Sequence, residues 1–335
     1  MEAIVKRIEA GQDLSLGEMH AAIGQIMTGD GTDDQIARLL VAMNCKGATV
    51  AEVAGAAAAM RDHVRPIRTH RTGVIDTCGT GGDRARTFNI STAAALVVAA
   101  AGVPVAKHGN RGVSSRSGSA DVLAALGVNI EAGPDRVEAC LDDLGICFCF
   151  APLFHPAMKR VAAVRKSLGV PTIFNLLGPL VNPAGAKFQL IGVGRPELRP
   201  LLAEALAMLG VDRAVVVHGE DGLDEVTLGG TTLASVVCGE QITLLQWSPE
   251  QFGLSRTSRD TLLVEGPEES AAKIGKVLAG RRGPERDVVL ANAAAALWTA
   301  GRSDSLTECA GMAAAAIDSG AARTLLHRLA DYTNR

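Results

Sequence analysis

The chain has 335 residues, 47% of them hydrophobic and only 3% aromatic, with a formal net charge of −3. That balance supplies a large aliphatic core in two lobes, or one domain with a satellite, and excludes a global basic field or an aromatic platform for nucleic acid. Seven cysteines, an odd number with no C-x-x-C pair, point to reduced thiols in a cytoplasm and away from a disulfide frame or zinc knuckle.

Residues 1–13 are charged and mixed, so no secretory signal is expected. Residues 1 to about 65 read as four short helices, because the apolar periodicity restarts four times. Three of the starts carry capping boxes: Ser15 with Glu18, Thr32 with Gln35, and Thr49 with Glu52. Gly11 and Gly29 fit the preceding stops. These helices carry little polar chemistry and suit packing or dimerisation.

After Pro66 short β-like runs alternate with helical ones, the pattern of a sheet covered by helices. Strands are expected at 74–77, 103–106, 146–150, 189–193 and 214–218, with helices at 90–101, 119–126, 134–144, 156–168 and 196–209. The most apolar run, 93–106, is broken by Gly102 and Pro104 and is too short to span a bilayer. Residues 172–185 read as irregular, 232–238 and 241–247 as an antiparallel addition, and about 268–330 as helical again. The expected fold is α/β, with a small helical lobe beside a larger lobe built on a mostly parallel sheet.

The first chemical motif is Asp76-Thr-Cys-Gly79-Thr-Gly-Gly82-Asp83, followed by Asn89, Ser91 and Thr92 opening a helix. Glycines let backbone amides approach an anion, and the helix aims its unpaired N–H groups at the same place. The spacing matches neither G-x-G-x-x-G nor the P-loop. By itself it is equally well explained as a strand–helix turn whose polar residues cap the helix.

Lys107-His108-Gly-Asn110-Arg111 and the run Ser114 to Ser119 follow the next strand. Consecutive parallel strands open their C-termini onto one crevice, so two cations, several hydroxyls and a second helix N-terminus fall beside the glycine turn. Two anion pockets close together fit a ligand with a pyrophosphate at one end and a monophosphate at the other. A third cluster, Asp224-Glu225, follows the strand ending at His218 and offers hard oxygens suited to Mg²⁺. Alone it would read as an acidic turn in solvent.

Together with His155-Pro-Ala-Met-Lys159, Arg165 and the segment Thr172 to Pro183, these motifs resemble the anthranilate phosphoribosyltransferase family. The glycine turn is shared with pyrimidine nucleoside phosphorylases, whereas the Lys107–Arg111 string is much more specific. Pro171 departs from the arginine that many relatives carry before Thr172. The resemblance implies phosphoribosyl pyrophosphate as donor, anthranilate as acceptor, Mg²⁺, and a homodimer formed through the helical lobe. That lobe would join residues 1–70 with about 164–186, leaving 71–163 and 187–335 as the donor-binding α/β lobe.

Carried onto this sequence, the resemblance gives Gly79, Gly82, Asp83, Thr87, Asn89, Ser91, Thr92, Lys107 and Ser119 to the donor. Gly79, His108, Asn110 and Arg165 would meet the acceptor, and Ser91, Asp224 and Glu225 the metal. By spacing alone Arg165 is an exposed helix cation among Lys159, Arg160 and Lys166. His108 alone would be a strand-end histidine bonded to a carbonyl, and His155, a helix cap before Pro156, is left outside the acceptor set. No residue stands out as a general base. Two rival readings are phosphorolysis of nucleosides and a non-catalytic relative that binds nucleic acid.

Overall fold

Hydroxyl-led capping sets three of the four helices that open the chain. In the computed structural model, which describes residues 1–82, 85–112 and 117–335, four helices follow one another: α1 (Glu2–Glu9), α2 (Leu16–Thr28), α3 (Asp33–Lys46) and α4 (Val50–Asp62). All three capping boxes form: at the start of α4 the Glu52 amide donates to Thr49 Oγ1 at 3.3 Å, and the Thr49 amide to Glu52 Oε2 at 2.8 Å. Gly29 ends α2 in the left-handed region, with φ of 91°.

The α/β portion runs β1 (Ile75–Asp76), α5 (Ile90–Ala100), β2 (Val105–Gly109), α6 (Ser119–Ala125), α7 (Pro134–Leu144), β3 (Ile146–Phe150), α8 (Ala151–Phe154), α9 (Met158–Leu168) and α10 (Phe174–Leu177). It continues with β4 (Phe188–Gly192), α11 (Leu198–Met208), β5 (Arg213–Gly219), β6 (Thr232–Cys238) and β7 (Gln241–Trp247). Four helices close the chain: α12 (Pro267–Leu278), α13 (Pro284–Thr299), α14 (Leu306–Asp318) and α15 (Ala321–Thr333). No helix among the described residues is long and apolar enough to cross a membrane.

Three differences from the sequence expectation bear on the site. The strand expected at 74–77 shortens to Ile75–Asp76, because the Thr77 carbonyl leaves the ladder to accept from Lys107 Nζ at 3.1 Å. The strand expected at 103–106 runs later, over Val105–Gly109, since the wholly buried β3 offers it pairing as far as Gly109 opposite Phe150. Lys107 and His108 therefore sit on a strand rather than past its end. Residues 172–185, expected to be irregular, hold α10 and the 3₁₀ turn Gly178–Leu180.

The sheet order is β3-β2-β1-β4-β5-β6-β7, with the first five strands parallel and β6 and β7 antiparallel additions. Sequence order reverses between β1 and β4, so the crevice at their C-terminal ends is the topological switch point where ligands bind in such sheets.

Alternate side chains of β4 and β5 feed two cores, following the period of two. Leu190, Val215 and Val217 join the layer with α5 and the Ala-rich α13. Ile191, Ala214 and Val216 join α11 and the N-terminal helices. Val164, Ile173, Phe174, Leu177, Leu180 and Val181 are in that second core too.

Candidate active site

The loop leaving β1 is shaped by close backbone approach. A Cβ on Gly79 would stand 2.8 Å from the Gly192 carbonyl oxygen, and the Thr80 amide donates to that same oxygen at 2.9 Å. The loop is thereby pinned to the end of β4, and Gly81 and Gly82 turn it with φ of 66° and 87°. α5 begins at Ile90, after the bridge of Thr87 to Leu263. Its Ser91 amide donates to Glu225 Oε1 at 3.0 Å, so the acidic pair after β5 already faces the first helix N-terminus.

From β2, the buried Lys107 sends Nζ to the Thr77 carbonyl and to Ser91 Oγ at 3.4 Å, which places its charge under the glycine loop. His108 donates its amide to Asp76 Oδ1 at 3.1 Å and directs Nδ1 to the Gly178 carbonyl at 2.9 Å. A carbonyl only accepts, so Nδ1 carries the proton and Nε2 is the bare nitrogen. Burial pulls the His108 pKa down to about 4 and the neighbouring His155, with ring centroids 5.1 Å apart, down to about 3. Both rings are neutral, and neither Nε2 has a partner among the described residues.

Asp76, Cys78 and His108 offer ligand atoms within 4.8 Å of one another. Their chemistry argues against a metal there. Asp76 spends one oxygen on the His108 amide and the other on Asn182 Nδ2 at 2.7 Å, while burial pushes the Cys78 thiol far above its ordinary range. Burial also raises Asp76 to about 6, held from going further by the Lys107 charge.

Gly79, Gly82, Thr87, Asn89, Ser91, Lys107, His108, Asn110, Ser119, Arg165, Asp224 and Glu225 all line one cavity of about 390 Å³. Arg165, which spacing alone made a surface cation, is half-buried in its wall; burial lowers its pKa, Nη2 donates to Asn175 Oδ1 at 3.2 Å, and the guanidinium lies 5.6 Å from the Phe174 ring centre. Asn110 sits exposed at the rim, its Oδ1 taken by the Arg111 amide at 2.8 Å. Thr92 is not brought to the cavity: its position on α5 turns it into the core, where Oγ1 is buried with no partner among the described residues. Asp83, Ser114, Ser115 and Arg116 lie outside the described residues.

Residues 2–64 match the family described as glycosyl transferase family, helical bundle domain, and residues 71–323 match its a/b domain. A curated anthranilate phosphoribosyltransferase from Symbiobacterium thermophilum is 48% identical over 335 residues, covering 100% of this chain and 98% of its own. One from Moorella thermoacetica is 49% identical, covering 98% and 97%. The chain belongs to the anthranilate phosphoribosyltransferase family. It is thus an enzyme, a transferase of the glycosyl transferase class. The crystal structure of the Thermus thermophilus anthranilate phosphoribosyltransferase superposes with a TM-score of 0.93 at 45% identity, covering 99% of both chains. The Saccharomyces cerevisiae enzyme in complex with PRPP and Mg does so at 0.90 and 28%, covering 99% of this chain and 97% of that one.

In this member of the anthranilate phosphoribosyltransferase family, several polar residues that shape the site were given no role by the sequence. Asn182 bridges Asp76 and the Ala106 carbonyl, both at 2.7 Å, and Asn175 Oδ1 collects Arg165 and the Thr172 amide. Asn292 clamps both main-chain groups of Val226 at 2.9 Å, which fixes the turn carrying Asp224 and Glu225. One signal was available for it: Asn292 is the only polar residue in the stretch 288–298 apart from the tryptophan nitrogen. Ser270, bonded to Asn89, lies in an ordinary amphipathic helix and had none.

Proposed function

We propose that the chain transfers the 5-phosphoribosyl group of phosphoribosyl pyrophosphate to the amine of anthranilate, releasing pyrophosphate, in the tryptophan pathway. The observation that carries this reading is the convergence on one cavity of two glycine-lined loops, a buried lysine, paired carboxylates and a half-buried guanidinium. The donor's pyrophosphate rests against the loop of Gly79 and Gly82 and the start of α5, with Thr87, Asn89, Ser91 and Lys107 around it. Its 5-phosphate takes the start of α6 at Ser119.

Asp224 and Glu225 are the hard oxygen donors that suit Mg²⁺, with Ser91 beside them through its amide bond to Glu225. Magnesium, when bound, supplies positive charge to the leaving pyrophosphate. Arg165 takes the anthranilate carboxylate in a charge-assisted bond, and His108, Asn110 and Gly79 line the acceptor's path. The neutral His108 keeps a second positive charge away from the developing oxocarbenium ion. Aromatic amines are weak nucleophiles, so the residues that neutralise the leaving group carry most of the catalysis. No general base is required, because the nitrogen becomes acidic only as the new bond forms.

Residues 1–70 and 164–186 form a helical lobe through which two copies associate, and residues 71–163 and 187–335 form the donor lobe. The shared core of residues 164–181 with the N-terminal helices supports the grouping, and the exposed Leu16 and Val41 support the contact. Seven free cysteines fit a cytoplasmic enzyme. The test is anthranilate fluorescence over time with phosphoribosyl pyrophosphate, with and without Mg²⁺. Signal loss should need both. A flat trace from folded protein would overturn the transfer and send the chain to a phosphorolysis assay.

A further inference from the structure

Asn89 stands at the N-cap of α5, where an asparagine oxygen ordinarily accepts from the helix's own first-turn amides. Here it makes no such bond. Its Oδ1 instead accepts from Ser117 Oγ and from Ser270 Oγ, both at 2.8 Å, and its Nδ2 donates to the Ser117 carbonyl at 3.2 Å. Ser270 Oγ closes the circuit by accepting the Asn89 amide at 2.9 Å. One side chain therefore ties the loop after β1 to the loop before α6, and a hydroxyl from α12 sets which way its amide faces.

Ser270 is wholly buried and lies 181 residues from Asn89. The chain leading into α12 belongs to the same device. The Phe88 amide donates to the Leu262 carbonyl and the Val264 amide to the Arg86 carbonyl, each at 2.9 Å, around the isolated bridge between Thr87 and Leu263. Thr87, Asn89, Ser117 and Val264 all line the cavity.

We infer that Ser270 is a positioning residue for donor binding: it fixes the Asn89 amide and so holds the two anion loops at one separation. This rests on the donor reading given above. A ligand with phosphate groups at both ends needs both loops placed at once, so loss of the tie weakens the donor more than the acceptor. An effect of this kind arises because an orphaned buried N–H and a loosened amide both disfavour the assembled loops.

The test replaces Ser270→Ala, which keeps α12 intact because alanine is the better helix former. Calorimetric titration of phosphoribosyl pyrophosphate with Mg²⁺ should show donor affinity about tenfold weaker than wild type, because both bonds that set Asn89 are lost. Anthranilate KM should stay near wild type, and the melting temperature should fall by no more than a few degrees, the cost of the orphaned Asn89 amide. S117A should weaken the donor too, and the S270A/S117A pair should cost less than the product of the two, because both act through Asn89. Undiminished donor affinity in folded S270A, or an equal rise in both KM values, would overturn the inference. Failure of the wild-type protein to bind the donor would remove the donor reading and the inference together.

Discussion

The capping boxes of the helical lobe and the polar bonds of the strand-end site work in opposite ways. In α2, α3 and α4 a hydroxyl and an acid or amide three residues apart satisfy each other's amides, and the bond ends where it began. In the site the partners are remote: Asp76 and Asn182 are 106 residues apart, Ser91 and Glu225 are 134 apart, and Asn89 and Ser270 are 181 apart. Local bonds hold an element together. Remote bonds hold the distance between elements. Damage to the first should therefore appear as lost stability, and damage to the second as lost activity at nearly constant stability.

The sharpest break in that division should come from acid. As pH falls below about 6.5 the unfolded chain protonates the two imidazoles, while the folded chain resists until near pH 4 for His108 and 3 for His155. Their neutral burial thus contributes stability above pH 6.5 that is lost on the way down. Asp76, raised to about 6, works the other way between there and its ordinary 3.8. The net loss should be on the order of 3–5 kcal/mol. Urea denaturation at neutral and at mildly acid pH reads it, and His155→Phe should make the dependence shallower. A flat profile would mean that the rings are not neutral in the fold.

Next in size come the carboxylates. Glu225→Gln or Asp224→Asn should lower kcat by roughly 100- to 1000-fold, the cost of one critical electrostatic group, and blunt the response to magnesium while the melting temperature holds. Unchanged magnesium-dependent kinetics would take the pair out of the site. Glu52→Ala should cost about 3 kcal/mol of stability. The reason is that Glu52, fully buried, serves its capping box and also holds Lys46 Nζ at 2.9 Å and the Leu14 amide at 3.0 Å. If kinetic constants moved and stability did not, the division between the two regions would fail. Arg165→Ala should raise anthranilate KM about ten- to thirtyfold, near 2 kcal/mol, with donor KM unchanged. A rise confined to the donor would reverse the assignment of the two ends of the cavity.

Legibility followed the range of each interaction. The four helices and their capping boxes were readable because hydroxyl, acid and apolar period lie within one turn of each other. α7, β3, β6 and β7 were readable to the residue, since Pro134, Gly145 and the Gly239 turn punctuate them. The site was readable where glycine-rich runs follow strands, because the parallel sheet brings those ends together. Arg165 shows the limit from one side: its neighbours in sequence made it a surface cation, and only α10 folding over it puts Phe174 and Asn175 around its guanidinium. Thr92 shows it from the other, since adjacency to Ser91 on a helix sends the next side chain about 100° round the axis and into the core.

By itself the sequence determined the helical start, the alternation of strand and helix, the family, and where the glycine-rich loops fall. Those are consequences of local periodicity, capping and backbone freedom. The tertiary structure decided which polar atoms meet: Asn182 on Asp76, Asn292 on Val226, Ser270 on Asn89. No spacing rule links residues a hundred positions apart, because their meeting depends on the sheet order and on how each helix packs across it. The chemistry was written in motifs, and its exact geometry is held by residues that belong to none.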